Sequence, residues 1–360
     1  MKNLNFKLPK VSRDGFLACF VLLLPILVAY FCFPKEKESE KPQEIPVLEE
    51  EEEEEEILEI STEQKDSVLA KYTRTLLNRY RPPNAFVLLM DAKSADILAW
   101  GQRKDDENSE EPSFLKRDSF PAASLAKIVT TVAALESGKD SKSGYPKIGR
   151  NSTLYKRQIF PKGDHISEMI TLEDAFARSN NPAMGIAGLE IGRNKMQETA
   201  DKLGFMNFDY PDSDYELAES SCGFTKRNLI SPLQISLAIR KLIFTQPKKM
   251  FKETTYSEMR YMFLRTVTNG TARRDMQKTI YSYNKNSFDI GGKTGSLDGD
   301  SPEGRYDWFA GFAESKSDPE KAVIVVVMQV HGRLRNQHSS IIAGMLINEW
   351  AKKLVEKSGK

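Results

Sequence analysis

Apolar positions recur at helical spacing at Val68, Leu69, Tyr72, Leu76 and Leu77, until Pro82 and Pro83 end the run. A hairpin pattern follows: residues 85–90 and 97–100 read as strands joined by the polar turn 91–96. The middle of the chain then keeps a helical period. Helices are predicted over 121–137, stopped by Gly138, and over 171–178, opened by the Thr-x-x-Asp pattern of Thr171 and Asp174. A long one over 182–203 carries Gly185, Gly188 and Gly192 as candidate breaks, and two more cover 232–244 and 256–267. After Ser287 the period changes to that of strands, over 288–296, 306–313 and 322–330, separated by turn-rich stretches at 298–304 and 315–320. Connections this short join antiparallel neighbours, because a parallel crossover needs about a dozen residues or more. A closing amphipathic helix spans 339–357. The pattern predicts an α+β domain: an antiparallel sheet assembled from both ends of the chain and flanked by helices, with a largely helical subdomain between.

Ahead of that domain the pattern is of another kind. Residues 15–33 hold no charged side chain, and at about 1.5 Å each they make a helix near the roughly 30 Å of a bilayer core. Lys2, Lys7, Lys10 and Arg13 precede the stretch, and glutamates follow it, eight of them consecutively at 49–56. This asymmetry predicts a cytoplasmic tail (1–14), a signal-anchor helix (15–33), and a domain (62–360) on the extracytoplasmic side of the inner membrane. A cleaved signal peptide is the competing reading, but no small-x-small site follows the apolar stretch. The Glu, Lys, Pro and Ser of 34–61 cannot bury enough apolar area to order the segment, which reads as a disordered acidic spacer.

The net charge of +1 conceals this segregation, and no basic patch points to nucleic acid. Of the three cysteines, Cys19 and Cys32 lie in the apolar stretch and Cys222 stands alone, so the domain has no disulfide framework. His165, His331 and His338 show no ligand spacing, and neither a metal nor a cofactor is expected.

The local chemistry centres on Ser124 and Lys127, three residues apart at the start of a predicted helix and hence on one face. A serine hydroxyl is a weak nucleophile until a base takes its proton, and a lysine is a base only when neutral. Lowering a lysine pKa from about 10.4 to near 7 costs about 4 kcal/mol, which burial and a second cation together can supply. Backbone N–H groups of a first turn are unpaired, so the N–H of Ser124 is free to donate to a developing oxyanion. The spacing alone is weak: Ser113 with Lys116 and Ser282 with Lys285 repeat it. Two further elements, Ser179-Asn180-Asn181 between two predicted helices and Lys293-Thr294-Gly295 on a predicted strand, complete the ordered set SxxK, SxN and KTG.

With these in order, residues 84–330 resemble the transpeptidase domain of penicillin-binding proteins, of the serine D,D-peptidase and β-lactamase-like superfamily. Beyond the three motifs, the hairpin 84–100, the segment 229–237 (LISPLQISL), Asn269-Gly270-Thr271-Ala272 and the strand Asp307-Trp308-Phe309-Ala310-Gly311-Phe312 also match the family pattern. The resemblance implies that Ser124 attacks the D-Ala-D-Ala carbonyl of a peptidoglycan stem peptide and that Lys127 accepts its proton. Ser179 and Lys293 would relay a proton to the departing D-alanine, and Asn181 would bond the substrate amide. Thr294 and Ser296 would hold the terminal carboxylate beside Gly295, and the N–H groups of Ser124 and Ser296 would form the oxyanion hole. Gly291, Gly292 and Gly295 would let a substrate strand lie against the sheet edge. β-Lactams would bind the same site, and a glycan polymerase is an implied partner, since the chain shows no glycosyltransferase domain. The sequence departs from class A β-lactamases, having Asn180 in the middle of SxN. The only Glu-x-x-x-Asn near it, Glu190 to Asn194, reads as helical surface. Amine transfer is therefore expected over hydrolysis. A D,D-carboxypeptidase or weak β-lactamase of the same fold is the alternative, and a non-catalytic sensor or scaffold is a reading of another class.

Overall fold

The computed structural model describes residues 60–160, 168–280, 286–332 and 334–358. The expected tail, membrane helix and acidic spacer up to residue 59 lie outside these, as do His165 and the Ser282 to Lys285 repeat.

Asp66 caps the first helix, α1 (Ser67–Tyr80), by accepting from the backbone N–H groups of Val68 and Leu69 at 3.1 and 3.0 Å. The hairpin strands β1 (Asn84–Asp91) and β2 (Ile97–Lys104) follow, with a short β3 (Glu107–Ser109) beside β2. The middle of the chain begins with β4 (Phe120–Pro121), a 3₁₀ turn (Ala123–Ala126) and α2 (Lys127–Glu136). Next come β5 (Gly144–Pro146), α3 (Lys156–Ile159), β6 (Met169–Thr171), α4 (Leu172–Ala177), α5 (Asn181–Ile191), α6 (Arg193–Leu203), α7 (Asp214–Cys222) and β7 (Leu229–Ile230). Helices α8 (Pro232–Arg240), α9 (Glu253–Thr268) and α10 (Arg273–Thr279) complete the middle. The long strands β8 (Phe288–Asp300), β9 (Glu303–Ser315) and β10 (Ala322–His331) and the helix α11 (Ser339–Ser358) close the chain.

Six strands form one antiparallel sheet in the order β3-β2-β1-β10-β9-β8. The amino-terminal hairpin and carboxy-terminal meander meet where Asn84 pairs with Val330 and Asp91 with Val323, so both ends of the chain contribute as expected. Side chains alternate across the sheet. Val87, Leu89, Val323, Val325 and Val327 pack with Leu69, Leu77, Leu346 and Trp350 of the terminal helices. Phe86, Leu88, Met90, Ile324, Val326 and Met328 pack with Ile128, Val132, Ile235 and Phe263 of the helical middle. Covered on both faces, β1 and β10 are apolar at nearly every position, without the polar alternation of a half-exposed sheet.

Three expected elements differ. The single helix over 121–137 is instead a strand, a 3₁₀ turn and an α-helix, because Pro121 pairs with Leu229 and Ala123 takes a left-handed conformation (φ 50°). The long helix over 182–203 breaks only at Gly192, whose φ of 84° and ψ of 157° leave the helical region. The helix over 232–244 ends in a π turn, Lys241–Thr245.

Trp308 links sheet to site. Its ring is fully buried, and Nε1 donates to the Pro121 carbonyl at 3.0 Å, fixing the strand that leads into Ser124. Trp308→Phe leaves that carbonyl without its partner and should lower unfolding stability by about 1–3 kcal/mol. A reduced urea midpoint at unchanged slope would record this, and an unchanged midpoint would refute it.

Candidate active site

Ser124 stands in the 3₁₀ turn, not in an α-helical turn. With about three residues per turn, positions i and i+3 eclipse, so the turn stacks Lys127 directly behind the serine. Lys127 Nζ lies 2.7 Å from Ser124 Oγ, 2.8 Å from Asn181 Oδ1 and 2.5 Å from the Cys222 carbonyl oxygen. The lysine is fully buried, and burial pushes its pKa down from 10.5 to about 8. Each of its three oxygens comes from a different element: the 3₁₀ turn, the start of α5 and the end of α7.

Local backbone geometry sets this convergence. Ala123 holds φ 50°, costly for a residue with a Cβ. Gly223, with φ 70°, closes α7 and brings its Cα so near that a Cβ there would stand 1.8 Å from the Ala123 carbonyl oxygen. The contact admits only glycine, and it seats the α7 terminus, with the Cys222 carbonyl, beside the lysine.

Ser179 also holds a left-handed conformation (φ 55°) between α4 and α5. Asn180 caps α5, its Oδ1 accepting from Ala183 N at 2.9 Å while its Nδ2 donates to Asn151 Oδ1 at 2.9 Å. Asn181 Oδ1 is taken by Lys127, and the side chain lines the cleft. Lys293, on β8, donates to Ser179 Oγ at 3.0 Å and to the Thr294 carbonyl at 2.9 Å. Burial, with a smaller contribution from the charge of Lys127, holds Lys293 well below the ordinary lysine range. The second cation expected to help lower Lys127 acts the other way: burial lowers Lys127, and the charge of Lys127 adds to the lowering of Lys293, which engages Ser179.

Thr294 Oγ1 lies 2.5 Å from Thr271 Oγ1, and Ser296 Oγ accepts from Arg305 Nε at 2.9 Å. A Cβ on Gly295 would lie 3.4 Å from Ser124 N, so the serine turn rests against β8 at this glycine. Gly291 and Gly292 have another reason to be glycine: the Phe312 and Phe309 rings of β9 fill the space where their Cβ atoms would stand.

Ser124, Ser179, Asn181, Thr294, Gly295 and Ser296 line one cleft of about 320 Å³, with Lys127 and Lys293 buried behind it. Residues not singled out in the sequence join them. Arg305, Asn151, Gly223 and Phe224 line the same cleft, as do Asp275, Asp307 and His338. His338 Nδ1 stands 3.0 Å from Asp275 Oδ2, and Arg335 contacts both the other ring nitrogen and Asp307. No sequence signal marks the Cys222 carbonyl, since a backbone oxygen has no residue identity. Among the described residues, no three His, Cys, Asp or Glu side chains group as a metal site would require. The Ser113 repeat is unrelated to the cleft: Ser113 Oγ accepts from Gln102 Nε2. Glu190 pairs with Lys139 at 2.9 Å on the surface.

The family model of the penicillin-binding protein transpeptidase domain matches residues 85–349. The peptidoglycan D,D-transpeptidase PbpA of Mycolicibacterium smegmatis is 29% identical over 136 residues, 36% of this chain and 27% of that protein, so the matched stretch is about a quarter of the relative. Among solved structures, the transpeptidase domain of the FtsI4 D,D-transpeptidase of Legionella pneumophila superposes with a TM-score of 0.57 at 17% identity, covering 82% of this chain and 97% of that one. The D,D-transpeptidase domain of a peptidoglycan glycosyltransferase from Eggerthella lenta gives 0.55 at 18% identity, covering 82% of each chain. Their fold is the fold described above.

The buried lysine has a measurable signature. Its pKa falls from 10.5 in the unfolded chain to about 8 in the folded one, so between these values the unfolded chain binds more protons, and stability rises with pH. Below pH 8 the penalty is fully present. Lys127→Met should remove up to about 3 kcal/mol of this alkaline rise. Denaturant midpoints of both proteins between pH 7 and 10 check it, and equal slopes would refute it.

Proposed function

Because the chain belongs to the penicillin-binding protein transpeptidase family, we propose that it is a serine D,D-transpeptidase that cross-links peptidoglycan stem peptides through an acyl-enzyme at Ser124. The observation that carries this reading is the 2.7 Å contact of Ser124 Oγ with a buried lysine whose pKa is near 8. At pH 7 roughly a tenth of such lysines are neutral. A neutral amine has two donors and one lone pair. With Asn181 Oδ1 and the Cys222 carbonyl accepting the two donors, the lone pair is left for the Ser124 hydroxyl proton.

In this reading Ser124 Oγ attacks the penultimate D-Ala carbonyl and Lys127 takes the proton. The N–H groups of Ser124 and Ser296 stabilise the oxyanion. Cleavage of the peptide bond requires a proton on the departing D-alanine nitrogen, and the Ser179 hydroxyl, backed by Lys293 at 3.0 Å, delivers it. Thr294 and Ser296 receive the terminal carboxylate, with the Thr271 hydroxyl and Arg305 guanidinium adjoining them. Asn181 bonds the donor amide. An acceptor amine then displaces Ser124 from the acyl carbon. Glu190 sits on the surface and outside the cleft lining, which favours an amine over an activated water in this step. β-Lactams acylate the same serine.

Residues 15–33, outside the described residues, are read as a single-pass anchor holding the domain on the extracytoplasmic side of the inner membrane, where a glycan polymerase would supply nascent strands. Among the described residues no helix is long and apolar enough to cross a membrane.

Labelled penicillin should acylate the protein, peptide mapping should place the label on Ser124, and Ser124→Ala should abolish it. Label elsewhere, or none, refutes the reading. Acylation should rise with pH toward an apparent pKa near 8, and Lys127→Met should lower its rate by at least about 100-fold. Incubation with a stem pentapeptide and an acceptor amine should give the amide-linked product. Tetrapeptide alone would mark a carboxypeptidase, and binding without turnover a sensor or scaffold.

A further inference from the structure

The loop between β5 and α3 contributes Asn151 and Ser152 to the lining of the cleft, although neither belongs to a motif of the sequence. Asn151 is bonded to two residues of the Ser179-Asn180-Asn181 segment at once. Its backbone carbonyl accepts from the N–H of Asn181 at 2.7 Å, and its Oδ1 accepts from Asn180 Nδ2 at 2.9 Å. The first bond satisfies an amide that α5 leaves unpaired at its first position. The second meets a donor with no other acceptor among the described residues: Asn180 is 1% exposed, and its Oδ1 is committed to capping α5 at Ala183 N. That commitment decides the orientation of both amides. With Asn180 Oδ1 facing the helix, its Nδ2 faces Asn151, and Asn151 must present its oxygen.

The loop that offers this oxygen is itself braced by a buried side chain. Gln158, 2% exposed, donates from Nε2 to the Ile148 carbonyl at 2.5 Å and accepts at Oε1 from Tyr155 N at 2.9 Å. One amide thus ties together the chain on either side of Asn151. Gly149, with φ 69°, lets the backbone pass close over that amide, since a Cβ there would stand 2.8 Å from Gln158 Nε2. Tyr215 of α7 donates to the Leu154 carbonyl at 2.9 Å, which joins the loop to the helix whose end bears the Cys222 carbonyl.

The segment so held supplies an oxygen to each buried lysine: Ser179 Oγ accepts from Lys293 at 3.0 Å and Asn181 Oδ1 from Lys127 at 2.8 Å. It does so with Ser179 at φ 55°, a conformation costly for a residue with a Cβ. We infer that Asn151 is a positioning residue for proton transfer in the cleft, whose side-chain oxygen holds the Ser179-Asn180-Asn181 segment in the conformation that meets both lysines. This rests on the acyl-enzyme reading of Ser124. In acylation by a β-lactam, the Ser124 Oγ to carbon bond forms and the lactam carbon to nitrogen bond breaks. The serine proton passes through the Lys127 and Ser179 groups to the lactam nitrogen. Asn151 acts on these events through Asn180, so its effect falls on the rate of acylation and not on the binding that precedes it.

The test measures, for the full-length protein, the non-covalent dissociation constant and the acylation rate constant of 6-aminopenicillanic acid, a β-lactam without the acyl amide that Asn181 would bond. Asn151→Ala keeps the backbone bond to Asn181 and removes the side-chain bond to Asn180. It should lower the acylation rate constant about five- to tenfold, as loss of one hydrogen bond to a buried donor does, and leave the dissociation constant within about twofold. Asn151→Asp keeps an oxygen for Asn180 Nδ2 and should hold the rate constant within about twofold of the parent. An unchanged rate constant in Asn151→Ala, a loss confined to the dissociation constant, or an equal loss in both variants overturns the assignment while leaving Ser124 acylation intact. Failure of the parent protein to be acylated by either 6-aminopenicillanic acid or benzylpenicillin overturns the acyl-enzyme reading and this inference together. Should Asn151→Ala fail to fold, Asn151→Ser, whose hydroxyl is too short to reach Asn180, takes its place with the same expected outcomes.

Discussion

A fully buried lysine with no carboxylate beside it among the described residues is the constraint around which the rest is arranged. Lys127 Nζ meets three neutral oxygens, and removing an ammonium from water without a counter-charge is among the more expensive things a fold can do. The fold meets that demand with helix ends. The Cys222 carbonyl is an acceptor at the carboxy terminus of α7, where orphan carbonyls and the negative end of the helix dipole both favour a cation. Asn181 is the first residue of α5, where its backbone N–H is bonded to the Asn151 carbonyl at 2.7 Å and its side-chain oxygen turns to the lysine. Polar groups that a helix leaves unpaired at its ends are the ones used here. No acid is needed, and the lysine keeps a pKa lowered to about 8, which a carboxylate partner would raise.

The sheet performs the complementary task. Central strands β1 and β10 are buried on both faces and unavailable, and of the two edges the one that lies at the serine turn is β8, paired on one side with β9. An exposed edge invites strand addition by any extended chain. Here both ends carry ion pairs: Asp289 pairs with Arg260 at one end, and Asp298 with Arg305 and Asp300 with Lys226 at the other. Between them the stretch from Lys293 to Leu297 is left facing the serine turn, and Gly295 allows that turn to lie against it.

The sheet was legible in the sequence because its strands are long, apolar and joined by turns too short for any pairing but antiparallel. The order of the motifs likewise singled out six of the residues that line the cleft: Ser124, Ser179, Asn181, Thr294, Gly295 and Ser296. What the sequence did not reveal has two physical origins. Short elements such as β4 with β7 and β5 with β6 are held by tertiary contacts and carry no period of their own: Phe120 pairs with Ile230 across more than a hundred residues. Backbone groups and distant partners are also silent. The Cys222 carbonyl would be the same with another side chain at that position, and Arg305 meets Ser296 through the register of β8 and β9, which sets Asp298 opposite Arg305. The helix expected at Ser124 was wrong for a related reason: local propensity favours continuous helix through Ala122 and Ala123, but pairing of Pro121 with Leu229 and the wedge of Gly223 override it.

That override places strain where chemistry is expected. Eight residues other than glycine among those described have positive φ. Arg81, Ala95, Asp105, Asp106, Gln246 and Lys249 lie in turns and helix ends, where a tight reversal accounts for them. Ala123 and Ser179 are different, since one immediately precedes Ser124 and the other is itself the hydroxyl bonded to Lys293. Each such conformation costs on the order of 1–3 kcal/mol, and each directs a serine side chain toward a buried lysine. Substituting either residue by glycine would relieve the backbone, yet it would also remove the packing of the Ala123 methyl in one case and the hydroxyl in the other. The two strained positions and the two buried lysines are therefore one arrangement: each lysine meets its serine hydroxyl where the backbone before or at that serine is left-handed, and the surrounding core of the helical middle holds it there.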